Sequence, residues 1–209
     1  METKISLRDL EQDMFRSSIQ DGIIDIQIGC MLLIFVIAPL LSKSLGDFWS
    51  SMIFLPIWGV IFLGLRAFKK KHLQPRVGII QYGTYRKKRL KELHLVILVF
   101  NLAVLVLGVI SFILFSFLAG WIFPAILSIL LLIGFSLAGY MLEFPRLYLY
   151  GIVVSAAPLV GEFLYQSFGF SHHGIPVTFG ITATSFILTG IVILYRIMKQ
   201  YPLPPEGIA

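Results

Sequence analysis

A helix needs about 20 mostly apolar residues to cross roughly 30 Å of hydrocarbon. This chain carries six such runs, at about 23–41, 48–65, 94–117, 121–141, 147–166 and 175–195. No other feature constrains the fold as tightly. Backbone N–H and C=O groups in lipid must be satisfied within their own segment, so runs of this length are expected as helices rather than open sheet. The breaks between them are legible as well. "SKSLGD", "LAG", "EFPR" and "GFSHHGIP" each bring glycine, proline or charge. Composition agrees: 57% of the 209 residues are hydrophobic and only 13% are charged, whereas an ordinary soluble domain carries about 25% charged residues. The single cysteine, Cys30, rules out an internal disulfide and reads as a buried thiol. The first 20 residues are of mixed charge and lack the apolar core of a secretory signal.

Orientation follows from where the Lys and Arg residues fall. Lys4, Arg8, Arg16, ten basic residues in 66–91, Arg146, Arg196 and Lys199 fall on one side of a six-span chain, and only Lys43 on the other. The expected fold is therefore an all-α polytopic protein of the plasma (inner) membrane, with six transmembrane helices and both termini cytoplasmic. Trp49 and Trp121 would mark the outer interface, and Tyr140, Tyr148, Tyr150 and Tyr195 the inner one. Along the chain this gives a cytoplasmic amphipathic helix at 1–22 and a first transmembrane hairpin at 23–65. A basic cytoplasmic loop at 66–92, a four-helix region at 93–197 and a proline-rich tail at 198–209 follow. The N-terminal helix is read from Leu7, Leu10 and Met14 on one face, with Ser6 and Asp9 at capping-box spacing. No internal repeat is evident.

The net charge of +6 would suggest nucleic acid in a soluble protein. Here the positive charge is concentrated in a short segment between two spans, with few aromatics, Tyr82 and Tyr85 among them, which argues against nucleic acid. Gly78 and Gly83 are not followed by Lys-Ser or Lys-Thr, so there is no P-loop. The expected partner is the bilayer itself, with anionic lipid at the cytoplasmic face meeting Lys69, Lys70, Lys71, Arg76, Arg86, Lys87, Lys88 and Arg89. Each basic residue near such a surface contributes about 1 kcal/mol. A membrane or cytoplasmic protein could dock on the same segment. Within it, Val77–Tyr82 has the composition of a short strand or hairpin.

Ionisable groups within the spans are the candidate sites, because lipid makes them costly unless paired or hydrated. Asp25 lies one turn from Asp21 at the start of the first span. There it is expected to snorkel toward water and meet the positive end of the helix dipole, or to pair with an Arg of 66–91. Glu162 shares a face with Ser155, Pro158 and Gln166, and is expected near the hydrated outer headgroups. The last span offers a polar stripe of Thr178, Thr182, Ser185 and Thr189, which could face it. His172 and His173 lie in the connection between these helices. A carboxylate and two histidines are zinc-ligand types, but adjacent histidines rarely both turn inward, and no H-E-x-x-H is present. No metal or other cofactor is expected. Asn101 with Gly108 and Ser111 reads as interhelical glue. Of Pro56, Pro124, Pro158 and Pro176, only Pro158 lies near a charged residue, and Pro56 and Pro124 read as kinks.

Three stretches carry a resemblance. "QPRVGIIQYG" with its following basic run, the opening helix "DGIIDIQIGCMLLIFVIAPLL", and "PRLYLYGIVVSAAPLVGE" with "LTGIVILYRIMKQYPLP" resemble a family of uncharacterised prokaryotic multi-spanning membrane proteins with a "PR-x-G" basic loop. Ile79–Ile80–Gln81 stands where that loop has an aromatic and a basic residue. The resemblance implies a multi-spanning fold and no established reaction. No nucleophile elbow or Ser/His/Asp grouping is present either. The leading expectation is a non-enzymatic accessory, regulatory or scaffold component. A small transporter built on the Glu162 face and the Thr178/Thr182/Ser185/Thr189 stripe is the alternative, and a lipid-modifying enzyme ranks third.

Overall fold

A computed structural model describes residues 20–77, 91, 94–96, 98–100, 102, 106 and 120–201. The expected N-terminal amphipathic helix, Arg86–Arg89, Asn101, most of the 94–117 run and the proline-rich tail lie outside these residues.

The described residues are helical and include no strand. α1 (Ile23–Leu32) and α2 (Ile34–Leu45) follow one another across Leu33, whose φ and ψ are themselves helical. Gly46, at φ 79°, ends that run. α3 (Asp47–Met52) and α4 (Phe54–Phe68) come next, then a π-helical segment (Lys69–Leu73) and the short α5 (Gln74–Val77). α6 (Ile122–Leu142), α7 (Arg146–Phe168), a 3-10 turn (Ser171–Gly174) and α8 (Ile175–Gln200) complete the order. Four helical stretches among the described residues are long and apolar enough to cross a membrane: Ile23–Ser42, Ile122–Leu142, Arg146–Phe168 and Ser171–Gln200.

The second apolar run extends beyond the expected span. α3 and α4 follow one another across Ile53, whose φ and ψ are themselves helical, and α4 does not stop before the basic segment. Helical structure instead continues from Phe54 to Val77, through Lys69–Leu73 as a π turn. Val77 itself is helical, and the rest of the expected strand, 78–82, lies outside the described residues. Lys and Arg are good helix formers, so a basic run after an apolar one gives no stop signal. Pro124 and Pro176 fall in the first turn of a helix, where the missing N–H would have no intrahelical acceptor. Pro124 is therefore not a mid-helix kink, whereas Pro56 is the third residue of α4 and follows α3 through the helical Ile53. Among the described residues Pro39 and Pro158 lie inside helices, and Pro75 lies within the continuous 54–77 stretch.

The chain divides into two compact units, one on residues 82–179 and the other on 17–81 and 180–209. In the first, α6 and α7 are joined by a tight turn at Glu143–Pro145. Glu143 there takes a left-handed conformation (φ 51°) and Phe144 is fully buried. Small residues let the two helices approach: a Cβ on Gly151 would meet Phe135, and one on Gly139 would meet Leu147 and Tyr148. Tyr150 is buried here rather than facing lipid, while Tyr140, Tyr148 and Trp121 are exposed. In the second unit, α1 packs on α8 through glycines. A Cβ on Gly29 would stand 2.8 Å from the Ala183 carbonyl oxygen, and one on Gly190 2.6 Å from that of Gly22. Such close approach of backbones is the usual means of tight helix packing in membranes, where lipid-facing surface brings no hydrophobic gain.

Candidate functional site

Glu162 sits on the buried face of α7, with Val154, Pro158 and Gly161 below it at helical spacing. It is only 2% exposed, not hydrated as expected. Both of its carboxylate oxygens are engaged. Gln166 Nε2, one turn on, donates to Oε1 at 2.8 Å, and His173 Nδ1 lies 2.8 Å from Oε2. Trp121, just before α6, donates its indole N–H to Gln166 Oε1 at 3.0 Å. The chain Trp121–Gln166–Glu162–His173 thus ties α6, α7 and the 3-10 turn together.

The turn has to adopt an unusual shape to bring His173 there. His172 (φ 52°), His173 (φ 51°) and Gly174 (φ 61°) are all left-handed. Glycine tolerates this, but a residue with a side chain does so at a cost of roughly 1–2 kcal/mol. Gly161 and Gly174 let the turn lie directly on α7: a Cβ on Gly161 would meet the His173 carbonyl oxygen at 2.8 Å. The Tyr165 ring covers the imidazole, with centroids 4.2 Å apart. The His173 side chain nevertheless remains 58% exposed, whereas that of Glu162 is 3% exposed. One group is exposed and its partner is not. His172 is half-buried, and among the described residues no group of three or more His, Cys, Asp or Glu side chains comes together.

The other residues expected in this site divide. Thr178 is buried beside Gly161 and Thr182 is also buried. Ser185 and Thr189 are exposed, and each donates its hydroxyl to the carbonyl four residues back at 2.8 Å. The reason is angular. The buried stripe of α8 is Phe179, Ala183, Phe186 and Gly190, offset by one residue, or about 100°, from the hydroxyl stripe. Ser155 likewise donates to its own helix, at the Ile152 carbonyl.

A second polar cluster forms in the other unit. Asp21 Oδ1 accepts from the Ile23 N–H at 3.0 Å at the start of α1, and its Oδ2 pairs with Lys69. Asp25, expected to snorkel, is completely buried one turn further in. A basic residue of 66–91 does pair with this end of the first span, Lys69 with Asp21. Arg76 donates through Nη1 to the Met198 carbonyl at 2.8 Å and the Tyr201 carbonyl at 3.3 Å. It thereby satisfies carbonyls at the end of α8, where cations are also favoured by the helix dipole. Lys69, Leu73 and Arg76 recur four and three residues apart and face the interior of the unit, while Arg66, Lys70 and Lys71 are exposed. Of the expected lipid contacts among the described residues, then, Lys69 and Arg76 have protein partners. The His72 ring stacks on Phe68 (4.7 Å, 19°) within the same segment.

No protein-family model, curated protein or solved structure matches the chain.

Proposed function

We propose that this chain is a six-span protein of the plasma membrane, with the 66–92 segment and both termini cytoplasmic. In this reading it acts as a non-enzymatic accessory, regulatory or scaffold component seated on anionic lipid. The observation that carries it is the way the charged groups are used. Lys69 holds the start of the first span through Asp21, and Arg76 holds the end of the last helix through its carbonyls. Both oxygens of Glu162 already have protein donors. These groups tie helices together, as buried polar groups in membranes commonly do, and Arg66, Lys70 and Lys71 remain free to meet lipid phosphate.

The same contacts support the span count by parity. Residues 21, 69–76 and 198–201 meet, so they lie on one side. Three crossings, by α6, α7 and α8, separate residue 121 from residue 201. A chain leaving Val77 on that side needs one more crossing before residue 121, where the sequence carries its 94–117 run. The resemblance to multi-spanning prokaryotic proteins points the same way. Pull-down from native membranes, with identification of bound protein and lipid, tests the reading. Recovery of a stoichiometric protein partner or anionic lipid is expected. Recovery of neither, together with solute flux in reconstituted vesicles, would replace it.

Transport is the second reading, favoured by one observation: Glu162 is buried within a span and its partner His173 is exposed. The outward-facing Ser185 and Thr189 take half of the expected polar stripe away from it. Glu162→Gln abolishing a measured flux in liposomes is the result this second reading requires.

A further inference from the structure

We infer that the exposed end of α4 is a seat for one phospholipid whose headgroup is anionic and carries no ammonium group. This seat rests on the lipid contact of the proposed reading, and adds to it a place and a one-to-one stoichiometry. Residues 48–91 contain no Asp or Glu, so the basic segment has no carboxylate of its own. The fold brings Asp21 to Lys69, and Arg76 is taken up by the Met198 and Tyr201 carbonyls. Arg66, Lys70 and Lys71 are exposed, and no carboxylate of the described residues reaches them. Their counter-ion comes from outside the chain.

Level along the helix decides which anion that is. The apolar stretch Ile23–Ser42 begins beside the Asp21–Lys69 pair, which therefore marks the edge of the hydrocarbon. Arg66 stands three residues before Lys69, about 4.5 Å toward the apolar side. Lys70 and Lys71 stand beyond it, toward water. A lipid phosphate at this edge meets Arg66 from one side and the two lysines from the other. Arginine suits the deeper position, because its planar fork takes two phosphate oxygens at once and its stem can lie on apolar surface. The flank of α4 supplies the rest of the fit. Leu63, Arg66 and Lys70 form one exposed stripe at helical spacing, and Val60, Gly64, Ala67 and Lys71 form the next. Val60 is 70% exposed, and a Cβ on Gly64 would meet nothing within 4 Å. Both stripes run from apolar residues to a cation, as a lipid runs from chain to phosphate. A soluble phosphate ester leaves the apolar part bare, whereas an acyl chain covers it. A zwitterionic headgroup would set its ammonium against Lys70 and Lys71, which like-charge repulsion disfavours. On the opposite face Lys69 and Arg76 already tie the segment to α1 and α8, so binding has little left to order.

Native mass spectrometry of the full-length protein in neutral detergent reads the stoichiometry directly. The probes are phosphatidylglycerol and phosphatidylethanolamine with the same acyl chains. One phosphatidylglycerol per chain should be retained, and phosphatidylethanolamine should be lost. Arg66→Gln should weaken retention about fivefold, and Arg66→Lys, which keeps the charge without the fork, should fall between it and the parent. Thermal unfolding of both variants should match the parent, since Arg66 holds no carboxylate of the described residues. Lys199→Gln removes the same charge from the exposed end of α8 and should leave retention unchanged. Three results each overturn the seat while leaving diffuse lipid contact in place: equal losses from Lys199→Gln and Arg66→Gln, equal retention of the two lipids, or displacement of the bound lipid by inorganic phosphate. Retention of no anionic lipid at all overturns both the seat and the lipid contact beneath it.

Discussion

Glu162 and Thr189 both looked like polar candidates in the spans, and their surroundings separate them. Glu162 is the acceptor for two side chains in a buried site, so Glu162→Ala leaves both donors unmatched and should destabilise the protein by roughly 1–3 kcal/mol. Thr189 bonds only to its own helix on an exposed face, and Thr189→Ala should change stability by no more than about 0.5 kcal/mol. Thermal unfolding of the two variants in one detergent checks the contrast, and equal losses would contradict it. The sequence allowed Glu162 and Gln166 to be placed on one face, because i and i+4 spacing is a helical property. It did not distinguish His173 from His172. That choice depends on the left-handed turn, and two adjacent histidines before a glycine carry no signal for it. Asp25 was misread for a related reason: position near a span end suggests hydration, whereas burial is decided by what packs alongside.

Helices could be read from apolar length, and the ends of α6, α7 and α8 fall within a few residues of the expected runs. Their faces were less legible. Glycine content alone does not say which glycines are contacts: Gly29 is pressed against α8, whereas Gly59 in α4 has open space around it. Gly29→Ala must push a Cβ into the Ala183 carbonyl and Ile187, and should cost roughly 1–3 kcal/mol. Gly59→Ala should be neutral or stabilise by up to about 1 kcal/mol, since alanine is the better helix former. The π turn at Lys69–Leu73 was also invisible beforehand, because lysines satisfy helical and solvated readings equally well. Arg76, brought by that turn to the end of α8, makes an element-scale prediction. Arg76→Ala should lower stability by about 1–2 kcal/mol, whereas Lys70→Ala, lacking an inward role, should leave unfolding unchanged.

At the scale of the whole molecule, the proposed topology predicts that Ser44→Cys reacts with an impermeant thiol reagent in intact cells while Lys71→Cys does not. Labelling of Lys71→Cys from outside would reverse the orientation. Binding to vesicles of anionic lipid should fall as salt rises, and fall again when Arg66, Lys70 and Lys71 are neutralised together. Indifference to both would leave the basic segment a topological signal only. The glycine contacts between α1 and α8 also bear on how the protein is made. α1 leaves the ribosome early, yet the helix that covers Gly22 and Gly29 and receives Arg76 follows roughly 100 residues after Val77. At about 5–20 residues per second that is a wait of several seconds or more. During it, in the proposed topology, α1 waits in the bilayer with Asp25 and its glycine groove uncovered. A chain truncated before residue 180 can never end that wait. The proposed topology thus makes arrival of the last helix the event that covers the groove of α1.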